Sequence, residues 1–494
     1  MTRISRRALL AGAGGTLAGS ALGLPMLLHS TPAHAEEVSL ATRLANYAAG
    51  LGYADLDAAT IEQAKIHLVD ALGCALGAFR ESPVKAVRGL APATATRGTR
   101  AATVLGTTAR TTPDWASFIN GAAVRFLDLN DTYAGREVGH PSDNITPCLA
   151  VAESEGRSGR DLLLAMVLAY EIDCHLLDTV QISARGWDHP NFSLPAAALA
   201  AGKLMHLDAA RLAQAVNLSF AGHLASNQTR LEVISHWKGL ADADAGRNGV
   251  FAAELARAGI TGPAPAFEGK AGFFKMVSGP FELDEAGFGG HGHPFKINAC
   301  QIKAYPAQAL LQTAIVAAVR LGAKIPDPAR ISAIAVTTSH AGMQYSADSP
   351  EKWAPKTSGT ADHSLPYIVA RTLLDHEITA HSYSEKAMAD PRLKALLGKL
   401  TVEEDAALTA MYPQKIPNRI TIKLDDGREL SEEVDDLPGF GGKPMARPDA
   451  EEKFRRNARS VMAERQMRAL LDAVWTLDRA PNLGTLFERA RLKS

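Results

Sequence analysis

A helical rhythm runs with few breaks from residue 40 to residue 296, and it constrains this chain more than anything else in its sequence. Over that stretch apolar residues return every three or four positions, the spacing that gathers them on one face of an α-helix. Asp57 stands where an N-cap belongs, ahead of Ala64, Leu68, Leu72 and Leu76 on one face. Ser158-Gly159-Arg160-Asp161 opens another helix in near capping-box form, followed by Leu162, Leu163, Met166, Val167 and Tyr170. Two alanine-rich stretches, 195–205 and 208–218, carry so many small side chains that their helices can approach closely. The pattern predicts a large, packed, all-helical domain.

After about residue 298 the rhythm changes. Residues 331–338 read as a strand, and Ile420, Ile422 and Leu424 alternate ahead of Asp426-Gly427, a two-residue hairpin signal leading to Leu430 and Val434. Helical spacing returns beyond Asp449, at Phe454, Ala458, Val461 and Met462. A chain of 494 residues exceeds what one ordinary core accommodates. The expected fold class is therefore mainly α: residues 36–296 and 435–494 form the all-helical domain, and residues 297–434 a smaller α+β lid domain.

Residues 1–35 have the layout of a twin-arginine export signal. Arg6-Arg7 is followed by a run of Ala, Gly and Leu, and Ala33-His34-Ala35 forms an A-x-A cleavage site. The run is too Gly-rich for a spanning helix, so the expectation is a periplasmic protein with no stable membrane insertion after cleavage. Gly12, Gly14, Gly15 and Gly19 do not make a dinucleotide loop, because Leu17 occupies the third glycine position and no strand precedes them. Lys plus Arg total 52 against 53 Asp plus Glu, which leaves no global field to hold nucleic acid. An anionic ligand must be held by a few local cations. Cys74, Cys148, Cys174 and Cys300 form no C-x-x-C pair and read as buried free thiols.

Ionisable residues concentrate in four Gly- and Pro-punctuated segments, where loops display functional groups on a rigid scaffold. These are Asp128 to Tyr133 with His140-Pro141-Ser142, then Gly186-Trp187-Asp188-His189-Pro190, then His236-Trp237-Lys238-Gly239, and Lys303-Ala304-Tyr305-Pro306 at the seam between the expected domains. Turn chemistry or helix entry would account for each of them alone. Together they supply imidazoles, ammonium groups and carboxylates suited to proton abstraction next to a carboxylate: a base, cations for the developing charge, and an acid for a departing hydroxyl. Neither a metal nor another cofactor is called for. His291-Gly292-His293 has no third ligand at metal spacing, and no G-x-S-x-G elbow or P-loop is present. Glu171 and His175, at i and i+4, read as a structural pair.

At these segments the chain resembles the MmgE/PrpD family, which includes 2-methylcitrate dehydratase and cis-aconitate decarboxylase. The likeness is carried by His236-Trp237-Lys238-Gly239, Arg247-Asn248-Gly249-Val250-Phe251, Thr261-Gly262-Pro263, Phe267-Glu268-Gly269, and Asp362-His363-Ser364-Leu365-Pro366-Tyr367, besides the Asp128, His140 and Lys303 segments. The resemblance implies an active site in the cleft between the helical domain and the lid, and a homodimer. By motif, Asp128, His140, His189, Lys238, Lys303 and Tyr367 would line that site. His140 or His189 would exchange the proton, and Lys238 and Lys303 would hold carboxylates. Asp128 would orient a histidine or donate as an acid, and Tyr367 would supply a hydroxyl. Gln308 departs from the family, which tends to place a histidine within a residue or two after Ala307. The expected reaction is metal-independent dehydration of a 2-methylcitrate-like hydroxy tricarboxylic acid. Decarboxylation of a cis-aconitate-like acid, isomerisation or epimerisation of a related acid, and non-catalytic carboxylate binding remain alternatives.

Overall fold

The first helices are held where their caps and apolar faces put them. The computed structural model describes residues 38–92, 100–290, 292–440 and 443–492; the expected export signal over residues 1–35 and His291 lie outside them. Asp57 accepts from Thr60 N at 2.7 Å and starts the helix Ala58–Gly77. Ser158 and Asp161 close a reciprocal capping box at the start of Gly159–Thr179, with Asp161 N donating to Ser158 Oγ at 3.2 Å and Ser158 N to Asp161 Oδ2 at 3.0 Å. We label the principal helices α1 (Leu40–Gly50), α2 (Ala58–Gly77), α3 (Pro113–Arg125), α4 (Ile145–Ser154), α5 (Gly159–Thr179), α6 (Pro190–Leu204), α7 (Ala209–Ser219), α8 (Ala241–Arg257), α9 (Gln312–Gly322), α10 (Leu365–Asp375) and α11 (Arg447–Ala458).

The alanine-rich stretches do what their small side chains allow. α6 is buried along almost its whole length and packs against α5, α7 and α8. It meets α8 so closely that a Cβ at Gly249 would lie 2.9 Å from Ala198 N. α3 crosses α8 at a similar distance, since a Cβ at Gly121 would lie 2.9 Å from that of Ala243. The C-terminal helix α11 lies on α2, with Lys453 Nζ against Asp70 at 2.5 Å and donating to Leu129 O at 2.7 Å.

Two sheets matter for the site. β1 (Asp131–Ala134) lies between β2 (Val138–Gly139) and β3 (Gln301–Ile302), antiparallel to both, with Asp131 opposite Ile302 and Thr132 opposite Gln301. Further on, β4 (Ile331–Thr338) runs parallel to β5 (Leu400–Glu404) and antiparallel to β6 (Asn418–Leu424), which pairs with β7 (Glu429–Val434). α9 covers β6 and β7 and packs on α10. The β6–β7 turn is longer than the two residues expected. Gly427, at φ 85°, donates to Leu424 O, and Leu424 N then bonds Arg428 O, so the left-handed glycine follows Asp425 and Asp426 as a bulge.

Most buried apolar residues from Leu40 to Ile302 and from Met445 to Ala490 form one cluster, and most of those from Ala307 to Val434 another, with smaller groups such as Phe118, Ile119 and Ala243 apart from both. From Ser39 onward the described residues make one compact unit. Among them no helix is long and apolar enough to cross a membrane.

Candidate active site

The C-terminal end of α3 turns into a loop in which Asp128 sits at φ 51°, a left-handed conformation that costs a non-glycine residue about 1–2 kcal/mol. That turn aims its carboxylate into a set of cations. Lys238 Nζ lies 3.1 Å from Oδ1, Lys303 Nζ lies 3.0 Å from Oδ2, and the Arg125 guanidinium pairs with Oδ1 as well. All four side chains are buried. Burial by itself would raise the Asp128 pKa, but Lys238, Lys303 and Arg125 outweigh it and hold the carboxyl well below the usual range. An acid so firmly ionised accepts hydrogen bonds and holds lysines; it does not suit the donor role considered for it.

Each lysine arrives from a different element. Lys238 lies on the short turn His236–Gly239, which leads into α8, and Lys303 directly follows β3. Lys303 Nζ also donates to Asp128 O at 3.1 Å, and burial together with Arg125 and Lys238 brings its pKa down to about 8 against the pull of Asp128. Lys238 Nζ forms no well-aligned hydrogen bond, although Asp362 Oδ2 lies 3.9 Å away. Burial lowers its pKa too.

The two imidazoles lie edge to face, 5.2 Å apart. His140 Nδ1 is 2.6 Å from Asp131 O. A carbonyl oxygen can only accept, so Nδ1 carries the hydrogen and Nε2 keeps its lone pair. Burial, with Arg125, Lys303 and His189, holds the His140 pKa well below 6.5, so the ring is neutral near neutral pH. His189 is engaged on both sides. Arg230 Nη2 lies 3.1 Å from Nε2, and Asp242 Oδ1 lies 3.4 Å from Nδ1. A guanidinium only donates, so the His189 lone pair points at Arg230 and is not open. Burial lowers the His189 pKa, opposed by Asp242 and Asp188.

Beneath these groups lies a layer in which Arg125, Arg230 and Asp242, which the motifs did not single out, meet two carboxyls of the first segment. Asp242, in the first turn of α8, is 3.3 Å from Arg125 Nε and 3.0 Å from Arg230 Nη2. Asp143 faces it with its pKa raised well above the ordinary value by burial and by the Asp242 charge. Asp131, whose carbonyl orients His140, has its own carboxylate fixed by Ser142 N at 3.0 Å, Tyr170 Oη at 2.8 Å and His67 Nδ1 at 3.1 Å. No spacing marked Arg125 or Arg230; the one available signal was an arginine beside an acidic turn.

Tyr367 does not join the cluster. It is wholly buried in the second apolar core, its hydroxyl donates to Ser382 O at 2.5 Å, and burial pushes its pKa up to about 12. Its position in the first turn of α10 turns the ring inward. Tyr383 is the tyrosine on which Asp362 and Asp128 act, and it donates to Pro306 O at 2.5 Å, in the Lys303 loop. Gln308 is held by the Ser346 hydroxyl on its side-chain carbonyl and donates its backbone N–H to Asp362 O. His363 pairs with Asp362 through Nδ1. Atoms of Asp128, Asp362 and His363 lie within 4.8 Å of one another, near enough to ligate a cation. The Asp128 oxygens already face two ammonium groups, which a metal would have to displace.

Buried cations around one carboxylate, beside a neutral imidazole with an open lone pair, suit proton removal from a polyanionic acid. Residues 42–286 match the MmgE/PrpD N-terminal domain and residues 305–477 the MmgE/PrpD C-terminal domain. The chain belongs to the MmgE/PrpD family. It is 31% identical over 440 residues to the 2-methylcitrate dehydratase of Cupriavidus necator, covering 84% of this chain and 88% of that protein. To the 2-methylcitrate dehydratase of Salmonella typhimurium it is 30% identical over 448 residues, with the same shares of each chain, 84% and 88%. The human cis-aconitate decarboxylase is 27% identical over 410 residues, covering 75% of this MmgE/PrpD chain and 77% of its own.

Proposed function

We propose that this chain is a carbon–oxygen lyase of the dehydratase kind, removing water from a 2-methylcitrate-like hydroxy tricarboxylic acid. The observation that carries the reading is the fixed tautomer of His140, which leaves a neutral Nε2 lone pair beside the Asp128–Lys238–Lys303 cluster. His140 Nε2 takes the proton from the carbon next to a carboxylate. The electron pair of that C–H bond becomes the new C=C bond as the neighbouring C–O bond breaks. Lys238 and Lys303 bind substrate carboxylates and stabilise the charge that grows on them. Lys238, whose ammonium hydrogens are not taken up by an aligned bond, stands ready to protonate the departing hydroxyl. These cations supply the charge stabilisation for which a metal would otherwise serve, so the reading is metal-independent.

The test is incubation with citrate-type hydroxy acids while following absorbance of the new conjugated double bond. Dehydration produces that chromophore, whereas epimerisation does not, and decarboxylation of an unsaturated acid releases carbon dioxide instead. His140→Gln and Lys238→Ala are each expected to lower kcat by about 100-fold or more with circular dichroism unchanged. Activity retained in both variants would remove the mechanism. A binding isotherm without deuterium exchange at the carbon next to a carboxylate would make the chain a carboxylate-binding protein instead.

Arg6-Arg7 and Ala33-His34-Ala35 support export to the periplasm by the twin-arginine route, and family membership supports a homodimer. A mature N-terminus at Glu36, read by mass spectrometry, and a dimer mass in light scattering are the corresponding expectations.

A further inference from the structure

Cys174 and Cys300 are 126 residues apart in the chain, yet their sulfurs lie 3.7 Å from one another. Cys174 is fully buried on α5, and Cys300 is partly accessible at the end of the turn Lys296–Ala299. We propose that these two thiols are a disulfide-forming pair, oxidised by a small-molecule disulfide such as oxidised glutathione, that staples the strand leading to Lys303 onto α5.

The placement gives the bond a consequence. One turn before Cys174 on α5, Tyr170 holds the Asp131 carboxylate, and Asp131 in turn orients His140. Directly after Cys300, Gln301 and Ile302 pair with Thr132 and Asp131, and Lys303 follows. The two sulfurs thus join the helix that fixes one end of the Asp131 strand to the segment that delivers Lys303. Glu171, on the same helix, already accepts from Lys296 N at 2.7 Å and Gly289 N at 2.6 Å, so the two segments are in register before any bond forms. Bringing the sulfurs from 3.7 Å to bonding distance of about 2.05 Å asks for a small closing movement.

The chemistry balances with the named oxidant. The thiolate of Cys300, the accessible partner, attacks one sulfur of oxidised glutathione and expels a glutathione thiolate. Cys174 then attacks the Cys300 sulfur of the mixed disulfide and expels the second glutathione. Two protons and two electrons leave the protein and appear on two glutathione thiols. Burial pushes the Cys300 thiol up to about 11, so the reaction is slow at neutral pH and quickens about tenfold with each pH unit toward that value.

The test uses the full mature chain, reduced with dithiothreitol, freed of it, and exposed to oxidised glutathione at pH 7 and pH 9. The expected result is a Cys174–Cys300 cross-linked peptide under non-reducing conditions, a loss of two hydrogen masses, faster formation at pH 9, and a Tm raised by roughly 3 °C. Cys300→Ser and Cys300→Ala should lose both the cross-link and the Tm rise, while Cys148→Ser keeps them. Glutathione left unresolved on Cys300, a cross-link to another cysteine, or both thiols still free after prolonged exposure at pH 9 would each overturn the proposal.

Discussion

Single side chains decide the proton chemistry through which nitrogen of each imidazole is already engaged. Asp131 O fixes the hydrogen of His140 on Nδ1, and Arg230 covers the lone pair of His189, so the two similar residues have different prospects as bases. The pH dependence follows. His140 stays neutral below 6.5, so the acid limb of kcat/KM is expected below that value, and Lys303, with its pKa near 8, gives an alkaline limb around that pH as its ammonium is lost. A pH profile of kcat/KM checks both limbs. The same shift affects stability. Below 6.5 the unfolded chain binds protons at His140 and His189 that the folded chain refuses, so acidification through that window lowers the unfolding free energy. Denaturant titrations at successive pH values read that slope directly. Tyr367→Phe is expected to cost about 1 kcal/mol of stability through the bond lost to Ser382 O, with kcat nearly unchanged. A hundredfold fall in kcat would instead put that hydroxyl in the reaction.

Among elements, the tightest constraint is the contact of α6 with α8, because α8 carries Asp242 and follows directly on the Lys238 turn. Gly249→Val would drive its side chain into the Ala197–Ala198 backbone, and a loss of at least about 2 kcal/mol is expected in urea unfolding. Many elements were legible from local pattern alone. The Asp57 cap, the Ser158–Asp161 box and the strand at 331–338 were readable because their causes lie within a few residues. The β6–β7 turn was readable as a turn but not in its length, since Gly427 takes its left-handed conformation only after both aspartates have been accommodated.

At the scale of the whole molecule, the site depends on buried charges borrowed from α3, the His189 loop, the Arg230 loop, α8 and the segment after β3. Asp242 compensates both Arg125 and Arg230, whereas burial and the Asp242 charge push the Asp143 pKa well up. Asp242→Asn is accordingly expected to cost about 3 kcal/mol or more and to depress turnover. Asp143→Asn, which removes an ionisation that burial and Asp242 already disfavour, should cost about 1 kcal/mol or less. Equal losses in thermal unfolding would mean that the two carboxyls carry similar charge.

The sequence by itself determined the helical periodicity, the caps, the α+β character of the later segment and the residue types that could handle a proton beside a carboxylate. Those features arise from neighbours along the chain. Only the tertiary structure decided that Arg125, Arg230 and Asp242 underlie the cluster, that His140 keeps an open lone pair, and that Tyr367 turns into the core. Charge compensation and tautomers are set by groups far apart in sequence, and Coulomb energy in a dry interior depends on distances that no local pattern encodes.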